Sequence, residues 1–200
     1  MGSTVLYMSM SADGFVTGPN VRSDNAMGDG GQRLHEWVFP KAEPGDMAAT
    51  GANLSGANKQ VFDEMMSTGA VIAGRNTFEP AAGWEGNHHG GVEIFIISRY
   101  EAPEWVRKWR NVHYVEDLER AAREAKSAAG ARNVMMHGAS LLVPMAIEAN
   151  LLDEMMIHQV PLLLGDGRRL FTGFAGQPEL ERLRVLEGEG VTHLHYRVRK

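Results

Sequence analysis

The chain contains no cysteine among its 200 residues, so a disulfide framework, a thiol nucleophile, an iron–sulfur centre and a Cys-ligated zinc are all excluded. It lacks an excess of positive charge as well. Lys plus Arg number 20 against 25 Asp plus Glu, a formal net charge of −5, which disfavours a broad nucleic-acid footprint while leaving room for a local arginine cluster around one small phosphorylated ligand. No long hydrophobic run is present. The longest stretch without a formally charged side chain in the C-terminal half, residues 133–147, contains Gly138 and Pro144 and is too short to span a bilayer. Residues 1–15 carry neither a basic n-region nor a continuous apolar h-region and read as a first strand, so a cytoplasmic protein is expected. Neither G-x-G-x-x-G nor G-x-x-x-x-G-K-[ST] occurs, which removes the usual dinucleotide fingerprint and disfavours a phosphotransferase.

What is there has the composition of an ordinary globular protein, 44% hydrophobic and 22% charged, and one domain over residues 1–200 is expected. Residues 4–10 alternate Val5, Tyr7 and Ser9 with Leu6, Met8 and Met10, then end in a turn at Asp13-Gly14. Residues 18–56 are rich in Gly, Asn, Asp and Pro around a short apolar cluster, Trp37-Val38-Phe39. A loop this long inside a compact domain points to a substrate-facing lid. Ser55 is placed to cap a helix over 57–67, and Asp117 a helix over 118–129 with an alanine-rich apolar face. Short apolar strands are expected at 70–73, 92–98, 111–115 and 133–136. A helix follows over 140–149, where Pro144 is tolerable only near the first turn. A strand at 153–160 and a strand pair, 182–187 with 191–199, complete the chain. Strands alternating with helices predict an α/β fold of three layers: a mostly parallel central sheet flanked by helices, with a C-terminal antiparallel hairpin.

Three strand-to-helix turns carry chemistry. In the first, Gly74-Arg75-Asn76-Thr77 follows a buried strand; glycine lets backbone amides approach a phosphate, Thr77 offers a hydroxyl and Arg75 a guanidinium fork. The plainer reading is a structural turn with Thr77 as its cap. In the second, residues 92–97 deliver Ser98-Arg99 to a strand's carboxyl end, where ligands of open α/β sheets collect. Together the two turns suit a ribose 2′-phosphate; two solvated arginines are the alternative. In the third, Gly138-Ala139-Ser140-Leu141 leaves no bulk between backbone and a pyrophosphate, and here too a plain turn is possible.

Taken in order, Ser9-Met10-Ser11-Ala12-Asp13-Gly14-Phe15-Val16-Thr17-Gly18, the segment from Val71 to Glu79, the segment from Ile94 to Arg99 and the segment from Val134 to Leu141 resemble the dihydrofolate reductase superfamily. Leu151-Leu152-Asp153-Glu154, followed by Pro161-Leu162-Leu163-Leu164-Gly165-Asp166-Gly167 and Leu170-Phe171, is similar in particular to the reductase domain of the bifunctional riboflavin-biosynthesis deaminase/reductase. The resemblance covers nearly the whole chain. It implies a dihydrofolate reductase-like oxidoreductase that uses NADPH, of the 5-amino-6-(5-phosphoribosylamino)uracil reductase type, and a homodimer. It places the pyrophosphate against Gly74, Asn76, Thr77 and Gly138, Ala139, Ser140 and Leu141, the 2′-phosphate among Arg75, Ser98 and Arg99, and the nicotinamide near Met10, Thr17 and Gly18. It also implies an acidic proton donor on the first helix after the opening loop, a region where Asp29, His35 and Glu36 are the candidates.

Trp37, Phe39, Phe62, Met66 and Trp84 are candidates for a flat apolar wall against an aromatic substrate, or for plain core. His193 with His195, and His88 with His89, make a histidine metal site conceivable, but alternation with Leu194, Tyr196 and Val198 fits a half-exposed strand, and no metal is expected. The expected function is hydride transfer from NADPH to a C=N or C=O bond of a small pterin- or pyrimidine-like heterocycle, in riboflavin or folate metabolism. The expected partner is a small-molecule substrate, with neither nucleic acid nor membrane. The alternative is a non-catalytic NADP(H)-binding sensor or assembly module.

Overall fold

A computed structural model describes residues 2–39, 51–139 and 141–200. Ten strands are described: β1 (Thr4–Ser11), β2 (Phe15–Thr17), β3 (Ala70–Gly74), β4 (Glu93–Ile97), β5 (Val112–Val115), β6 (Val134–His137), β7 (Glu154–Val160), β8 (Arg168–Arg169), β9 (Leu180–Gly188) and β10 (Val191–Val198). The α-helices described are α1 (Gly56–Met66), α2 (Arg75–Phe78), α3 (Leu118–Ala129) and α4 (Leu142–Glu148). Eight strands form one sheet in the order β5-β4-β3-β6-β1-β7-β10-β9. The first six run parallel, and β10 is antiparallel to both β7 and β9. This is the α/β architecture read from the alternation of strands and helices, and the C-terminal hairpin is where it was expected.

The inner strands read as continuous apolar runs because both of their faces are covered. Leu6, Ile72, Phe95, Met136 and Ile157 face a core under α3 and α4, while Val5, Tyr7, Val71, Ile94, Met135 and Met156 face a second core shared with Leu34, Trp37, Val61 and Phe78. Alanines 121, 122, 125 and 129 supply the buried face of α3 and let it lie close on the sheet. At its start the Asp117 carboxylate accepts from the Arg120 backbone N–H at 2.6 Å. Asp117→Ala is expected to lower stability by about 1 kcal/mol, roughly 2–4 °C in Tm, by thermal denaturation. Pro144 is the third residue of α4, within the first turn, where its missing N–H breaks no helical bond.

Three local expectations are corrected. Ser55 holds the cap position of α1, yet its side chain makes no capping bond. The cap of α2 is Gly74, and Thr77 lies inside that helix instead of at its cap. His193 does not belong to a half-exposed strand face: only 1% of it is accessible. The 18–56 segment opens into a 3₁₀ turn at Gly31–His35 and a shorter one at Gly51–Asn53. Among the described residues no helix is long and apolar enough to cross a membrane.

Candidate active site

The three turns singled out in the sequence converge because their strands are neighbours. In register, Gly74 of β3 stands opposite Ile97 of β4, and Ala73 opposite His137 of β6, so the residues that follow all leave from one row at the carboxyl edge of the sheet. Gly138 has φ +151, and a Cβ built on it would stand 3.5 Å from Thr77 Oγ1 and 3.6 Å from the Gly74 amide nitrogen. Gly74 is a different case. Its φ of −80 suits any residue, and a Cβ there would meet nothing within 4 Å, so neither backbone strain nor an internal neighbour requires glycine. Bare backbone facing open space is the form a phosphate cradle takes.

A second ribbon brings Thr17 to the same edge. Thr17 of β2 pairs with Arg168 of β8, and Arg168 Nη1 donates to the Asn76 carbonyl at 3.4 Å. Gly18 is buried where a Cβ would strike the Asp29 carbonyl, so β2 and the following loop pack backbone on backbone. Among the described residues the buried Thr17 hydroxyl has no partner. Met10, next to last in β1, is half-buried against the core on the α4 side of the sheet, as is Ala139. Leu141 is 76% exposed at the start of α4. Ser140 lies outside the described residues.

Beside the cradle an open hollow of about 470 Å³ is lined by Ser98, Arg99, Tyr100, Arg107, Tyr114 and Glu116, among others. The Arg75 guanidinium lies 4.5 Å over the Tyr100 ring and 3.9 Å from Glu79, whose other oxygen accepts from the Tyr114 hydroxyl at 3.1 Å. Burial, with Glu79 beside it, pushes the Tyr114 pKa up. Ser98 Oγ donates to the Tyr100 carbonyl and accepts from its N–H, so this hydroxyl shapes the turn. Arg99 is exposed and forms no ion pair among the described residues.

The proton-donor candidates separate. Asp29 is exposed, and its two oxygens accept from the Asn20 and Asn25 side-chain amides at 2.8 Å each, bracing the loop. Glu36 is exposed on the loop surface. His35 is half-buried and its Nδ1 has no partner among the described residues; burial, then the neighbouring His137, lowers its pKa to about 4. No acid of α1 is free for the role. Asp63 binds Lys59, Glu64 binds Arg184 through two bonds, and the buried polar residue of that helix is Asn58.

The five apolar-wall candidates all pack on the face of the sheet that carries Val5 and Tyr7. Trp37 stands 4.6 Å from His158 and 4.9 Å from His193, and its Nε1 donates to Ser9 Oγ at 3.0 Å. Trp84 meets Phe78, His88 and His137 at centroid distances of 5.3, 4.6 and 5.9 Å. Phe39, Phe62 and Met66 are partly buried around the same core. Reading the sequence missed His158 and Asn58 altogether. Their only sequence signal is a polar residue on the inward phase of a strand and of a helix. Burial lowers the pKa of His137 and His193 to about 4, and holds His158 well below its ordinary value. Among the described residues no group of three metal-ligating side chains is gathered.

A family model described as the RibD C-terminal domain matches residues 87–194. No curated protein matches the chain. A protein from Shewanella sp. PV-4, described as a candidate riboflavin biosynthesis protein, superposes with a TM-score of 0.70 at 17% identity, covering 99% of both chains. RibD from Acinetobacter baumannii gives 0.60 at 15% identity; all of this chain is covered, and it spans 59% of that one. Dihydrofolate reductase from Enterococcus faecalis, complexed with NADP(H) and RAB-propyl, gives 0.55 at 11% identity, covering 100% of this chain and 98% of that chain. Identities this low establish the shared fold and leave the chemistry to be argued from the residues.

Proposed function

The chain belongs to the RibD C-terminal domain family, and from that premise we propose that it is a reductase, drawing hydride from NADPH and delivering it to a C=N or C=O bond of a small heterocycle. The observation that carries the reading is the row of turns at one sheet edge, where Gly74 bares its backbone to open space, Gly138 packs close to Thr77 and the Gly74 amide, Arg99 lines the neighbouring hollow and Arg75 lies over its Tyr100. The residues fit the cofactor. Gly74, Asn76, Thr77, Gly138, Ala139 and Leu141 would hold its pyrophosphate, Arg75 and Arg99 its 2′-phosphate, and Met10, Thr17 and Gly18 would border the nicotinamide. When bound, NADPH supplies the hydride.

The rest is the work of this chain's own side chains. Trp37 and Trp84 keep the neighbouring volume dry and flat, which favours a planar acceptor and fixes its distance from the hydride donor. Asp29 braces the loop and Glu36 faces solvent, so the proton arrives through His35 or from water. The same reading has one reductase domain over residues 1–200, a homodimer in the cytoplasm, acting in riboflavin- or folate-type metabolism.

Thermal shift tests the cofactor assignment. NADPH is expected to raise Tm clearly more than NADH at equal concentration, and Arg75→Ala with Arg99→Ala to weaken NADPH binding by roughly 10–100-fold while leaving NADH binding nearly unchanged, as loss of charge-assisted hydrogen bonds requires. Equal affinity for the two coenzymes, or an unaffected double variant, overturns it. The absence of an unpaired acid on α1 keeps a second reading in view, a non-catalytic NADP(H) sensor. NADPH oxidation assayed across pterins, aminopyrimidines and simple carbonyl compounds separates the two, because the sensor turns over none of them.

A further inference from the structure

Among the described residues three buried imidazole nitrogens, His35 Nδ1, His137 Nδ1 and His158 Nε2, have no hydrogen-bond partner, and the last two belong to strands on either side of β1. The hydrogen bonds around them fix what each can do. Asn58 Nδ2 donates to the Trp37 and Glu189 carbonyls at 3.4 and 3.1 Å, so its Oδ1, 3.1 Å from His193 Nε2, must accept, and that nitrogen carries the proton. His193 Nδ1 is then a lone pair. In the 2.9 Å contact between the two Nδ1 atoms the proton therefore sits on His158, which leaves His158 Nε2 a bare acceptor. His137 turns its other ring nitrogen to the Tyr7 carbonyl, which makes Nδ1 a second bare acceptor. A buried acceptor without a donor costs about 1–3 kcal/mol, so a pair of them calls for an occupant.

The sheet sets their separation. His158 is in register with Ser9 of β1, and β1 lies between β6 and β7. The two histidines thus flank β1 across two strand spacings, about 10 Å, and stand two residues apart along it, opposite Tyr7 and Ser9. A flat ring with an N–H already lies over this strand: the Trp37 indole, held to Ser9 Oγ. His137 directly precedes Gly138, assigned to the coenzyme's pyrophosphate, and His158 pairs with Ser9, the neighbour of Met10 assigned to its nicotinamide, so both histidines adjoin the proposed coenzyme site.

We propose that His158 and His137 are specificity-determining residues that receive hydrogen bonds from the N–H groups of a planar heterocyclic substrate bound beside the Trp37 indole over β1. The proposal rests on the reductase reading for the identity of the ligand as hydride acceptor. Acceptor-only nitrogens select a donor edge, an amine or lactam N–H, and reject a carboxylate or a bare ring nitrogen, which would meet lone pair with lone pair.

The test uses the full chain labelled with ¹⁵N-histidine, with and without NADP⁺, and a minimal pair of probes, 2-aminopyrimidine and pyrimidine. Long-range ¹H–¹⁵N correlation is expected to show His158 and His193 in opposite tautomers. 2-Aminopyrimidine should move the unprotonated nitrogens of His158 and His137 upfield and change Trp37 fluorescence, whereas pyrimidine leaves both unchanged. His137→Phe and His158→Phe should each weaken 2-aminopyrimidine binding about tenfold while keeping the NADPH-induced rise in Tm. Identical tautomers, or the same response to both probes, or none to either, overturns the proposal. Absence of any NADP(H) effect on Tm, with the probe response intact, overturns the reductase reading and leaves the acceptor site standing.

Discussion

Between pH 6.5 and about 4 the protein is expected to lose a large part of its stability, a loss that begins well above the range in which carboxylates usually drive acid unfolding. His35 and His137 are held neutral by burial, with pKa values of about 4 against 6.5 for a free imidazole. The direction follows from proton counting. In that window the unfolded chain binds protons that the folded chain refuses, so the slope of stability against pH is positive and acid favours unfolding. Each such imidazole costs about 2 kcal/mol at pH 5, at about 1.4 kcal/mol per pH unit. Two of them remove a large part of the 5–15 kcal/mol that holds an ordinary domain together. His193, His158 and His88 are depressed in the same direction, so they add to the loss. The carboxylates act later. Glu64 and Asp153 have lowered pKa values, Glu64 chiefly through the Arg184 hydrogen bond and Asp153 through Lys200, Thr4 and Lys126 against its burial. Their stabilisation is present above the ordinary carboxylate range and is lost only as pH falls through it. Urea denaturation at pH 7.5, 6, 5 and 4.5 measures the slope. A free energy that stays level down to pH 5 would mean that the imidazoles are solvated, and the acceptor site argued above would fall with them.

Much of the fold was legible because the inner strands are doubly buried. Runs such as Ala70-Val71-Ile72-Ala73 and Ile94-Phe95-Ile96-Ile97 admit few alternatives, and the charged face of α3 sits opposite its alanines. Gly74, Thr77 and Gly138 were legible for a related reason: small residues after a strand mark where a helix begins, and β3 lies between β4 and β6. The substrate side was not legible in this way. Its polar groups, Asn58 on α1, His158 on β7 and His193 on β10, come from positions 58 to 193, and only the pairing of β7 with β1 and β10 brings the histidines together. Nothing local marks such a set. A histidine on the inward phase of a strand reads the same whether it is solvated, structural or facing a ligand, and the tautomer chain exists only once Asn58 is seen to spend its amide on two carbonyls. The Asp63 and Glu64 carboxylates of α1 were hidden in the opposite sense, since their pairing with Lys59 and Arg184 removes them from the chemistry.

Gly86→Ala is expected to be strongly destabilising, and its effect should reach the site. Residues 82–86 form a left-handed turn in which five successive φ angles are positive: Ala82 at 50, Gly83 at 63, Trp84 at 48, Glu85 at 53 and Gly86 at 76. Each non-glycine residue held this way costs roughly 1–2 kcal/mol, so the turn persists only because its surroundings over-determine it. They do so through aromatic packing: a Cβ on Gly86 would fall 2.3 Å from Trp109 Cγ, in a ring already packed edge-on against Phe78 and Trp105. That clash adds to the conformational cost, and together they should destabilise the protein by more than about 3 kcal/mol. Gly90→Ala is the control. Its φ is also positive, at +52, but a Cβ there meets nothing within 4 Å, so it should cost only about 1–2 kcal/mol. The turn is also what sets Trp84 against His88 and His137. Where Gly86→Ala is rescued enough to fold, by low temperature or added osmolyte, the histidine ring signals of 88 and 137 should shift and those of His195, paired with Glu154 at the far hairpin, should stay in place. Equal destabilisation by the two substitutions in urea titrations would show that the Trp109 contact contributes nothing to holding the turn, and that Trp84 is positioned by some other means.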